Sequence, residues 1–189
     1  MTDLCSGSGE PAISIFKQCG SFTRLELTDK YPAESVVSND IIYLQESVDV
    51  LDMAFEPGKC YTMFNAFHHF DDADKLRIIE RIRTAGSRAF FAEILEPNFV
   101  FVLKILFITT IGNLLLTPFI RPFSLSRLVL TYLIPLNIFT IAYDGIVSVF
   151  KSRSVKQYRH LFAGQQGVNV FRLQKGLSSI VVIEAVPLV

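Results

Sequence analysis

Asp3-Leu4-Cys5-Ser6-Gly7-Ser8-Gly9-Glu10-Pro11 carries the chain from the end of a short apolar strand into the helical run Ala12-Ile13-Ser14-Ile15-Phe16-Lys17. A backbone that turns sharply there and lets a ligand approach closely has no room for a Cβ, which is the reason for glycine at Gly7 and Gly9. The stretch lacks the lysine and following Ser/Thr of a P-loop and has no clean third glycine. Asp3, just ahead of the turn, would repel a pyrophosphate. It would suit a ligand bearing an amino group and a positive charge.

Acids recur at regular spacing after this turn. Arg24-Leu25-Glu26-Leu27-Thr28-Asp29 reads as a second strand ending in an acid, and Ser47-Val48-Asp49-Val50-Leu51-Asp52 as a third. Lys59 to Phe70 reads as a fourth, closing on the polar and aromatic cluster Asn65-Ala66-Phe67-His68-His69-Phe70. In open α/β sheets, ligands bind beyond the carboxyl ends of the strands, so Asp3, Asp29, Asp52 and Asn65 are expected to line one crevice. Singly, each acid also suits a helix N-cap or a turn. Four in register after four strands point to a shared site.

A helix is expected over residues 72–84, with acids early, Leu76, Ile79 and Ile82 at helical spacing, and Gly86 as its stop. Arg88-Ala89-Phe90-Phe91-Ala92-Glu93-Ile94 reads as a fifth strand. Residues 169–173 and 179–186 read as two last strands joined by the turn Gln174-Lys175-Gly176. The chain is therefore expected to be one domain. Residues 1–95 supply βα units, 97–162 an apolar helical insertion, and 168–188 a terminal β-hairpin.

With the glycine turn, the strand-end acids and the strings "LTDKYP", "FNAFHHF", "TPFIRPFSLSRL", "TYLIPL" and "YDGIVSVF" in this order, the chain resembles class I S-adenosylmethionine-dependent methyltransferases, within a bacterial group, over nearly its whole length. The resemblance implies a Rossmann-like α/β sheet of parallel strands with a C-terminal antiparallel hairpin. It implies S-adenosylmethionine as cofactor and methyl transfer to a small, lipophilic acceptor. Asp3, Gly7 and Gly9 would surround the methionine part of the cofactor, and Asp29 would take the ribose hydroxyls. Asp52 would lie near the adenine amino group, with Met53 packed on the ring. Asn65 to His69 would form the floor beside the transferred methyl. In the family a helix and most of the first strand precede the acid of the glycine motif, whereas this sequence begins two residues before Asp3. A very short first strand, a fragment or a misassigned start is expected, and with it a second possibility, a protein that binds the cofactor without turnover. A third is a membrane protein whose apolar block, a two-helix hairpin, is the functional part.

Lys+Arg and Asp+Glu number 18 each, so there is no electrostatic case for a nucleic-acid surface. Three cysteines without C-x-x-C spacing, and no leader-like basic and apolar start, point to a reducing, cytoplasmic setting without structural zinc. Cys5 in the glycine turn fits either a reactive thiol or a small buried filler. Adjacent His68 and His69 on an extended segment point opposite ways, so they are not expected to chelate a metal. Either one facing the transfer site has the basicity to serve as general base near pH 7, and either equally suits a packed or cofactor-contacting role.

Residues 99–120 carry one charge, Lys104, and a helix of roughly 20 residues matches a hydrocarbon core of about 30 Å. Residues 128–150 are nearly as apolar but contain Pro135, Asn137 and Asp144. A soluble pair of helices would be broken at Gly112-Asn113 and Pro118; the membrane alternatives are a two-helix hairpin or a monotopic insertion. If the last strands complete the same sheet as the first five, the chain returns to the side it left. Zero spans, two spans or a re-entrant dip are then allowed, and one span is not. The basic residues Lys151, Arg153, Lys156 and Arg159 favour the cytoplasm for the catalytic part. Asp144-Gly145 reads either as a helix-ending turn or as a substrate-facing carboxylate that reaches water, Arg121 or Arg127. The block is expected to cap the crevice.

Overall fold

In the computed structural model, described over residues 1–33, 38–175 and 178–188, seven strands form one sheet. They are β1 (Thr2–Leu4), β2 (Leu25–Leu27), β3 (Ile41–Tyr43), β4 (Cys60–Phe64), β5 (Arg88–Glu93), β6 (Val168–Lys175) and β7 (Ser178–Ala185). Their spatial order is β3-β2-β1-β4-β5-β7-β6. The first five run parallel, β7 runs antiparallel to β5, and β6 pairs antiparallel with β7. This is the Rossmann-like arrangement expected, with the parallel order reversing between β1 and β4. β1 spans three residues, all buried between β2 and β4, as a central parallel strand requires.

Helix α1 (Ala12–Cys19) follows the glycine turn, and α2 (Asp72–Thr84) has the bounds read from the sequence. The Asp71 carboxylate caps α2 by accepting from Asp74 N at 2.8 Å, while Arg81 and Arg83 occupy its last turn, matching the helix dipole at both ends. Ile78, Ile79 and Ile82 are buried, with Leu76 packed at the margin. Gly86 leaves the helix at φ +74°.

The third strand is not where the acids suggested. Ile41-Ile42-Tyr43 pairs with β2, and residues 47–52 form a turn instead. Asp49 closes that turn: its carbonyl accepts from Asp52 N and Met53 N, and its side chain accepts from Leu51 N. An aspartate whose carbonyl and carboxylate between them accept from three local amides holds a turn rather than a strand ladder. The hairpin register between β6 and β7 runs from Val168↔Ala185 to Lys175↔Ser178; Gly176 of the expected turn lies outside the described residues.

The chain divides into two compact units, Met1–Ile94 with Ser154–Val189, and Leu95–Arg153. The second is narrower than the 97–162 block, because α7 (Val155–Leu161), capped reciprocally by Ser154 and Gln157, places Tyr158 in the sheet's core. Within the second unit, Phe99–Phe119 is one continuous helical stretch of 21 residues. It comprises α3 (Phe99–Phe107), a π segment (Ile108–Gly112), α4 (Asn113–Leu116) and a closing 3-10 turn (Thr117–Phe119). Gly112-Asn113 therefore does not break it: the wider π turn absorbs the irregularity, and Asn113 Nδ2 donates to Thr109 O at 2.7 Å. Pro118 falls in the final turn. A further stretch, α5 (Leu125–Leu128) with a π segment (Val129–Leu133), meets α6 (Leu136–Lys151) at a bend of 79° beside Pro135. Asp144-Gly145 is not a helix end. It sits inside α6, with Asp144 exposed.

Candidate cofactor site

A cavity of about 750 Å³ opens at the carboxyl ends of β1, β2 and β4, lined among others by Cys5, Gly7, Asp29, Asn65 and His69. It lies where the strand order reverses, the place where open α/β sheets bind ligands. Cys5 (φ +54°) and Asn65 (φ +53°) are the two described non-glycine residues with positive φ, and both line it. Such conformations cost of order 1–3 kcal/mol each and gather at ligand sites.

The glycine turn is held from several directions. Gly7 N donates to Asp29 Oδ2 and Tyr31 N to Asp29 Oδ1, both at 2.8 Å. The Tyr43 hydroxyl, from the end of β3, donates to Gly7 O at 2.7 Å. Beneath, Ser6 Oγ and Thr28 Oγ1 donate to the Asp3 carbonyl at 3.0 and 2.9 Å. Asn65 Oδ1 accepts from Ile94 N at 3.4 Å, and the Asn65 backbone N–H donates to Ala92 O at 2.7 Å. β2, β3 and β5 thus fix the turns that end β1 and β4.

The expected site residues separate into groups. Gly7, Asp29, Asn65 and His69 meet at the cavity. Gly9 lies below it: a Cβ there would meet Ile13 Cδ1 at 2.8 Å and Leu27 Cδ1 at 3.0 Å, so this glycine lets α1 approach β2. At Gly7, by contrast, a Cβ would meet nothing within 4 Å. Asp3 is also buried, its Oδ1 accepting from Thr62 Oγ1 at 2.6 Å. Burial outweighs that hydrogen bond and pushes the Asp3 carboxyl up to about 7. Burial, with Asp29 and Asp3 nearby, pushes the half-buried Cys5 thiol up to about 12, which disfavours its thiolate. Asp52 and Met53 are not among the lining residues. They stand on the 49–53 turn, which Arg81 of α2 secures by donating to the carbonyls of Leu51 and Met53. Asp144 belongs to the other unit.

The two histidines are not on an extended segment. They sit in a 3-10 turn, Phe67–His69, with ring centroids 4.3 Å apart. His68 is buried with its Nδ1 2.7 Å from Glu93 Oε2, while Glu93 Oε1 accepts from Phe67 N at 2.7 Å. His69 is exposed on the cavity wall. Sequence reasoning missed Tyr43, Thr62 and Glu93. Glu93, an acid closing the apolar run Ala89-Phe90-Phe91-Ala92, was the visible signal among them.

No protein-family model matches the chain, and neither does any curated protein. Solved structures do match. Human N-acetylserotonin methyltransferase in complex with SAM matches with TM-score 0.58 and 15% identity over 100% of this chain. An enzyme described as a pericyclic reaction enzyme gives 0.58 and 14% over 98%. The mitomycin 7-O-methyltransferase MmcR gives 0.55 and 18% over 97%. This chain spans 47%, 42% and 47% of those three chains, respectively. At such identities the likeness speaks to architecture, and the architecture is that of the Rossmann-like, class I methyltransferase fold.

Proposed function

We propose that this chain binds S-adenosylmethionine in the cavity at β1, β2 and β4 and transfers its methyl group to a small, lipophilic acceptor. The observation that carries the reading is the convergence of Gly7, Asp29 and left-handed Asn65 on that one cavity. The residues suit the cofactor. Each Asp29 oxygen takes one backbone N–H and keeps lone-pair capacity for a ribose hydroxyl. Gly7 leaves open the space a side chain would fill. Asn65 and His69 form the floor, with Asp3 and Gly9 supporting the glycine turn beneath the methionine part. Asp52 and Met53 would meet the adenine end from their braced turn. When bound, the cofactor supplies a methyl group on a sulfonium, open to in-line displacement.

His69 takes the proton of an acceptor hydroxyl or amine as that group attacks. His68, tied to Glu93, holds the turn that presents His69. The apolar second unit associates with a membrane, leaving the cofactor unit in the cytoplasm, and a lipophilic acceptor matches a membrane-associated protein. Incubation with methyl-labelled S-adenosylmethionine, below saturation, and a panel of lipophilic alcohols and amines tests the reading: label enters the organic phase with wild type and more slowly with Asp29→Ala. Cofactor binding with no transfer to any acceptor would favour the alternative, a binding protein without methyl turnover. That alternative draws on the three-residue length of β1.

A further inference from the structure

The second unit has its polarity reversed. Phe107, Phe119 and Phe139 are 66, 79 and 69% exposed, while Thr109 and Thr131 are 9 and 2% exposed. A water-soluble helix pair places these the other way round. The polar side chains are also satisfied within the unit. Thr109 Oγ1 donates to Ile105 O and Thr131 Oγ1 to Arg127 O, both at 2.8 Å. Asn137 Nδ2 donates to Thr131 Oγ1 at 3.1 Å, and the Tyr132 hydroxyl donates to Leu114 O. Back-bonding to the carbonyl four residues earlier and hydrogen bonds between helices are what a helix needs where water is absent.

The helices also meet through a small residue. A Cβ at Gly145 of α6 would lie 2.5 Å from Ile105 Cγ2 of α3, a close crossing of the kind that packs helices in lipid. Charge is distributed to match. Lys104 and Asp144, the neighbours of that crossing pair, are exposed at one level. Beyond them residues 105–119 carry no charge, about 22 Å of helix at 1.5 Å per residue. Arg121 and Arg127 then occupy the connection, and Arg127 Nη1 donates to the Ile120 and Pro122 carbonyls at 3.1 and 3.3 Å. Between Phe99 and Lys151 there are four basic residues and one acid, a balance suited to anionic headgroups.

We propose that Leu95–Arg153 is a membrane-inserted helical hairpin whose outward phenylalanines and leucines face the acyl chains of a lipid bilayer, with the Lys104 and Asp144 level at the headgroups. Both ends of the hairpin lie on one side, since β5 before it and β6 and β7 after it belong to a single sheet. This deepens the membrane-associated part of the reading above and places the acceptor among lipid-dissolved molecules. A second copy of the chain is the competing cover for the same surface, but a protein interface gives no reason for buried threonines beneath an apolar exterior.

The chain has no tryptophan, so Phe107→Trp and Phe139→Trp each give a single fluorescent reporter. The full chain is mixed with phosphatidylethanolamine and phosphatidylglycerol vesicles, floated, and washed with alkaline carbonate. The expected result is flotation that survives the wash, with both tryptophans quenched by lipids brominated on the acyl chains. The double variant Phe107→Lys with Phe139→Lys should lose flotation. Protein left unfloated, stripped by carbonate, or held as a lipid-free dimer with both tryptophans shielded from acrylamide would overturn the proposal. Calorimetry with S-adenosylhomocysteine on the same samples reports the cofactor site separately, so failure of one reading leaves the other standing.

Discussion

Gly7 N donates to Asp29 Oδ2 at 2.8 Å, joining the turn after β1 to the acid after β2 across 22 residues of sequence. The bond sets the glycine turn with its open face toward the cavity, and the same carboxylate keeps acceptor capacity on that face. A local motif and a distant acid thus form one device.

Tyr43→Phe tests the other clamp on this turn. Losing the hydroxyl that donates to Gly7 O should cost about 0.5–1.5 kcal/mol of stability and weaken cofactor binding in the same direction. Urea unfolding and calorimetry measure the two effects. An unchanged unfolding midpoint would show that the bond does not hold the turn.

The two glycines should respond differently to alanine. Gly9→Ala drives a Cβ into Ile13 and Leu27 at φ +90°, overpacking that costs about 1–3 kcal/mol. Gly7→Ala meets open space, so its loss is confined to backbone strain of about 1–2 kcal/mol while the added methyl intrudes on the cavity. Thermal melts should rank Gly9→Ala as the less stable, and titration with S-adenosylhomocysteine should rank Gly7→Ala as the weaker binder relative to its stability. Reversed rankings would contradict the division of roles.

Asp3 predicts a pH dependence. Its carboxyl holds a proton up to about 7 in the folded protein, against an ordinary value of 3.8. Between these values the folded state binds more protons than the unfolded one, so stability falls as pH rises from about 4 to 7. The penalty is absent below that window and complete above it, on the order of 4 kcal/mol from a shift of about three pH units. Asp3→Asn keeps an acceptor for Thr62 and removes the charge. Relative to wild type, the variant should gain stability steadily from pH 4 to 7 in urea unfolding. Parallel curves for the two proteins would refute the assignment.

His68 and His69 should separate stability from turnover. Replacing His68 by Gln disturbs a buried pair with Glu93, and the loss should appear first in melting temperature. His69→Gln should keep the melting temperature and lose activity. Full activity in His69→Gln would remove the general-base role.

What was legible in the sequence was local. The glycine turn, the acid at Asp29, α2 and the terminal strands declare themselves within a few residues through spacing, caps and alternation. β3 did not, because Ile41-Ile42-Tyr43 is only three residues long and the following acids imitate a strand end. Tyr43 acts on Gly7 across 36 residues and Glu93 on His68 across 25; no spacing rule reaches that far. Nor did Gly112-Asn113 break its helix, since a π turn and an Asn113 side-chain bond to Thr109 O compensate there. Equating polarity with exposure would likewise have turned Thr109 and Thr131 outward.

The central claim is a cofactor site built on Asp29, and calorimetric titration of wild type and Asp29→Ala with S-adenosylhomocysteine tests it most directly. Leaving ribose hydroxyls and the Gly7 N–H without their acceptor should weaken binding by roughly 1–3 kcal/mol, with wild type giving a single saturable site. Equal affinities for the two proteins, or no heat of binding from a folded wild type, would contradict the account.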